Sequence, residues 1–69
     1  MKKLRFKSLD SFIIDGAEIM VEYLKDKKIW YLIDVNTYHY EKIIDSFDLK
    51  NQVAEYLTLN KAKMVEKDQ

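Results

Sequence analysis

"AEIMVEYLKDKKIWYLIDV", residues 17–35, decides the fold, because two apolar arms around a charged centre can be folded in two ways. As a hairpin with its tip at Lys25–Lys28, it sets Leu24 opposite Ile29, Tyr23 opposite Trp30 and Val21 opposite Leu32. Aromatic and β-branched partners of this kind stabilise adjacent strands. Just upstream, Asp15-Gly16 is a strong short-turn signal in its own right.

The competing layout is a helix over residues 9–27 with Ser8 as its N-cap. At 100° per residue, Ser11, Asp15, Glu18, Glu22, Lys25 and Asp26 gather within an arc of roughly 100°. Leu9, Phe12, Ile13, Ala17, Met20, Tyr23 and Leu24 take the opposite side. Against the helix stand β-branched Ile13, Ile14, Ile19 and Val21, and a mid-helix Gly16 costing about 1 kcal/mol. The hairpin leads and the helix stays open.

Working outward, "IWYLIDV" (29–35) is the firmest strand, with Asp34 its only polar residue. Alternation sends Tyr31 and Ile33 to one side, and Trp30 and Leu32 to the other. Asn36 and Thr37 end it. The spacing of Tyr40, Ile43, Ile44 and Phe47 then predicts a helix with Glu41, Lys42 and Asp45 facing away. The apolar phase jumps by about 200° after Phe47, so a second helix follows. Asp48 is its expected cap, and Leu49, Val53, Tyr56, Leu57 and Met64 its inward residues. Upstream, Leu4 and Phe6 alternate with Lys3, Arg5 and Lys7, which predicts a short edge strand guarded by lysines.

The expected fold is a single small α+β domain over residues 1–69: an antiparallel hairpin around 17–35, an N-terminal edge strand and two C-terminal helices. The alternative, with 9–27 helical, gives a β-α-β-α-α order. Residues 65–69 are expected to fray.

Composition narrows the chemistry. The chain has no cysteine, so disulfides and thiolate-bound zinc are excluded, and its core must supply the stability. At 48% hydrophobic it can build one, and 35% charged residues give it a solvated surface. Twelve basic and twelve acidic side chains leave no net charge, whereas nucleic-acid binders ordinarily carry a basic excess. "MKKLRFK" is too short and charged for a signal peptide, and no apolar run approaches eighteen residues, so a cytoplasmic protein without a membrane span is expected. Eleven Lys to one Arg, seven Ile, one Gly and no Pro suggest an A+T-rich coding source such as a phage or mobile element.

No catalytic constellation emerges. Any Ser–His–Asp set must use the lone His39 with Ser8, Ser11 or Ser46, none of them in a Gly-flanked elbow. One glycine gives no phosphate cradle. His39 and Glu41 are too few ligands for a metal. The reading is of a protein that is not an enzyme and needs no cofactor or metal.

What remains is recognition. Two apolar faces on one strand are more than 69 residues can readily cover, and large uncovered patches mark interfaces. Trp and Tyr are the residues enriched at binding hot spots. The expected partner-binding surface comprises Trp30, Tyr38, His39 and Tyr40, with Glu18 and Glu22 alongside. In the hairpin these two carboxylates share a face and flank Met20. The function so read is a small protein-interaction module, such as a modulator or inhibitor of a partner with a basic surface, or a homodimer. The alternative is a nucleic-acid-binding or transcription-modulating protein using Lys2, Lys3, Arg5 and Lys7 with stacked aromatics, Phe6 being the nearest.

Overall fold

The computed structural model describes residues 4–36 and 42–66. The order of elements is β1 (Ser11–Ile14), β2 (Ala17–Leu24), β3 (Ile29–Asp34), β4 (Lys42–Phe47), α1 (Lys50–Leu59) and β5 (Lys63–Met64). The strands form one antiparallel sheet in the order β4-β3-β2-β1-β5.

The hairpin pairs Leu24 with Ile29, Tyr23 with Trp30 and Val21 with Leu32. Its four-residue tip closes through the amides of Lys27 and Lys28, which both donate to the Leu24 carbonyl, with Lys28 at φ 56°. A second hairpin joins β1 to β2 through Asp15 and Gly16 at φ 51° and 81°, the two positive dihedrals of a type I′ turn. Residues 9–27 are therefore not helical, and the β-α-β-α-α order is excluded. Gly16 is where a positive φ is needed rather than a break inside a helix.

Two further expectations are overturned. Residues 42–47 form a strand, so the described residues of the C-terminal half hold one short helix where two were expected. Period alone misled there, because Tyr40, Ile43, Ile44 and Phe47 fit a helical stripe while β-branched Ile43 and Ile44 favour a strand. Asp45 adds a local competitor: its Oδ1 accepts the Ser46 amide at 2.8 Å, an alternative to a helical hydrogen bond. The decisive term is tertiary, since β3 would otherwise have an open edge, and β4 fills it with Phe47 opposite Trp30. The expected N-terminal edge strand is also not found among the described residues. Residues 4–7 are irregular, and the sheet edges belong to β4 and β5.

The irregular N-terminal segment is nevertheless tied down. Asp10 donates its amide to the Lys7 carbonyl, closing a turn, while Asp10 Oδ2 accepts the Lys7 amide. Leu9 donates to the Val21 carbonyl and Val21 to the Asp10 carbonyl, so two residues oppose one in a G1 bulge. Ser8 Oγ accepts the Tyr23 amide at 2.9 Å, capping a strand instead of a helix. The segment delivers Phe6 to the core.

At the start of α1, Gln52 Oε1 accepts the amides of both Asp48 and Leu49, at 3.1 and 3.0 Å. The capping role expected of Asp48 thus falls to Gln52, with Leu49 as N-cap residue. The helix ends in a Schellman arrangement, with Ala62 donating to the Leu57 carbonyl and Lys61 to the Thr58 carbonyl. Lys61 takes the left-handed position at φ 55°. This reversal brings Lys63–Met64 onto β1, with Met64 opposite Phe12. Leu49 and Met64, both expected inward, are exposed. Val65 donates to the Ser11 carbonyl at 2.8 Å, so pairing with β1 extends into the stretch expected to fray.

The core lies on one side of the sheet. Phe12 and Ile14 of β1, Ile19 and Val21 of β2, and Trp30 and Leu32 of β3 pack with Val53 and Leu57 of α1 and with Phe6. Burying each large side chain contributes about 1.5–3 kcal/mol. Phe6 meets Phe12 and Trp30 edge to face, at 6.1 and 5.4 Å between centroids. Lys50 Nζ sits 5.0 Å from the centre of the Phe6 ring and 5.9 Å from that of Trp30. No helix among the described residues is long and apolar enough to cross a membrane.

Candidate functional site: the outer face of the sheet

Alternation along the strands fixes what the other side of the sheet presents. Ile19, Val21 and Tyr23 point toward the helix, so Glu18, Met20 and Glu22 point away. By the same logic Tyr31 and Ile33 of β3 point away, as does Ile13 of β1. The register assembles these positions into a surface. Met20 stands opposite Ile33, Glu22 opposite Tyr31, and Glu18 opposite Ile13.

The edge strand β4 completes the surface through an irregularity. Leu32 faces Asp45 and Ile33 faces Ile43, so Ile44 is an extra residue in the ladder. The bulge leaves two adjacent isoleucines at the edge, Ile43 at 56% exposure and Ile44 at 40%. Across the sheet, Ile13 is 37% exposed. Between them Ile33 is only 4% exposed, standing between Met20 and Ile43 in the register. The exposed isoleucines therefore lie toward the two sides of the face, with Met20 and Tyr31 half-buried between them and two half-buried carboxylates, Glu18 and Glu22, along β2. Among the described residues, no element lies over this face; α1 and the N-terminal segment both pack on the other side.

The residues singled out from sequence meet different fates. Trp30 is 8% exposed in the core beneath Phe6 and Lys50, and offers a partner almost no surface. Glu18 and Glu22 are on the outer face, either side of Met20. Tyr38, His39 and Tyr40 lie outside the described residues. Phe6, the ring placed beside the basic N-terminus for stacking on nucleic acid, is buried.

Ile13, Met20, Ile43 and Ile44 were not singled out, although the strand period carries a signal for the first two. Ile13 is out of phase with Phe12 and Ile14, and Met20 with Ile19 and Val21. For Ile43 and Ile44 the signal was masked by the helical spacing.

Chemically, this surface can bind but has little with which to transform. Its polar groups at paired positions are carboxylates, one phenol, Ser46, the buried Ser11 opposite Met20 and, at the β5 edge, Lys63 opposite Ile13. Among the described residues no group of three His, Cys, Asp or Glu could hold a metal ion. Compared with protein-family models, curated proteins and solved structures, the chain finds no match in any of the three.

Proposed function

We propose that this protein is a non-enzymatic interaction module that binds a protein partner, or its own copy, through the outer face of its sheet. One observation carries the reading: every described element outside the sheet packs on one face, while the other keeps Ile13 and Ile43 exposed at its two sides and Met20 and Tyr31 half-buried between them. A small chain with such a face gains by covering it, since exposed apolar side chains gathered on one face mark interfaces. The aromatic contribution passes from Trp30 to Tyr31, which shares the face with the carboxylates.

The test is a pair of substitutions at exposed positions, Ile13→Lys and Ile43→Lys. Each should change unfolding free energy by no more than about 1 kcal/mol, because neither side chain is in the core. Both should abolish association, whether self-association in sedimentation or retention of a protein partner by the tagged chain. Association that survives both substitutions in a folded protein contradicts the assignment.

A further inference from the structure

We infer that the outer face receives an amphipathic helix carrying two basic side chains two turns apart. This rests on the reading of that face as an interface and names the chemistry of its occupant. Glu18 and Glu22 are four residues apart on β2 and on the same face, a separation of roughly 13 Å along the strand. Met20 lies between them, with Ile33 beside it on β3. On a helix, residues at i, i+3, i+4 and i+7 share one face, and i to i+7 spans about 10.5 Å. Lys or Arg at the two ends would reach the carboxylates, while apolar residues at the inner positions meet the half-buried Met20 and, beside Glu22, the ring of Tyr31. The flexible stems of Lys and Arg span the remaining few ångströms.

Charge selects this occupant over a second copy. Neither carboxylate has an ion-pair partner among the described residues, and both are half-buried already. Covering them without a cation carries a desolvation cost that a complementary charge offsets. Stacking the face on its own copy would enclose four carboxylates. The one cation at a paired position of the face is Lys63, at the far edge. Pairing at the β4 edge is opposed by the bulge at Ile44, a common protection of exposed edges.

The probe is a synthetic helical peptide with lysine at its first and eighth positions, leucine at its fourth and fifth, and an alanine- and glutamine-rich host. Its companion has glutamate in place of both lysines. The full chain should bind the lysine peptide at least about tenfold more tightly than the glutamate peptide. Glu18→Lys combined with Glu22→Lys should reverse that preference. Should this variant not fold, Glu18→Gln with Glu22→Gln should abolish the preference instead. Equal binding of both peptides, an unreversed preference, or no binding up to about 1 mM would overturn the inference. So would a dimer formed through this face. Failure here combined with loss of association in Ile13→Lys and Ile43→Lys leaves the interface standing and removes only its proposed occupant.

Discussion

Leu9 is a leucine in a glycine's place. It is the first residue of the G1 bulge against Val21, where glycine is usual, and it adopts φ 79° while 50% exposed. For an L-residue that region costs roughly 1–2 kcal/mol, and glycine's greater freedom in the unfolded chain returns part of any gain. Leu9→Gly should therefore raise the unfolding free energy by about 0.5 kcal/mol, measured by urea titration. A loss of more than about 1 kcal/mol would show instead that contacts of the leucine side chain outweigh the backbone strain. Trp30 gives the complementary lesson. Aromatic identity proposed it as a surface anchor, but its phase with Leu32 placed it on the side that α1 and Phe6 cover. Alternation was legible in "IWYLIDV"; which face would be covered was not, because that depends on elements distant in sequence.

Among elements, the β2–β3 hairpin was legible because its signal is local, complementary arms around a charged tip; Asp15-Gly16 marked a turn, but strand β1 before it was not expected. The strand β4 was not, since its apolar spacing fits a helix and only pairing with β3 decides otherwise. The helix α1 was legible through Val53 and Leu57, but its boundaries were not. Its start rests on Gln52 reaching back to two amides, and its end on Lys61 turning left-handed without glycine. Gln52→Ala should lower stability by about 1 kcal/mol through loss of that shared acceptor. An unchanged midpoint in thermal or urea unfolding would show that water replaces Gln52 at no cost. Backbone chemical shifts over residues 42–47 should be those of an extended strand; helical shifts would contradict the sheet order itself.

For the molecule as a whole, the layers explain the surface. Ten helical residues are about 15 Å of helix, enough to cover one side of the sheet together with Phe6, and nothing described is left for the other. The sequence reading expected an uncovered face from a strand apolar on both sides and assigned binding to Trp30, Glu18, Glu22 and residues 38–40; Trp30 lies in the core, the two carboxylates lie on the outer face, and residues 38–40 are outside the described residues. It could not see that β4 would set Ile43 opposite Ile33 and leave it exposed at the sheet edge. The most direct measurement is site-specific photo-crosslinking in the source cell extract, with the reactive side chain at position 13 or, for comparison, at Glu55 on the exposed side of α1. The outer-face account predicts one discrete adduct from position 13, either a partner or a second copy, and none of that mass from position 55. Equal adducts from both positions, or the discrete adduct from position 55 alone, would contradict it.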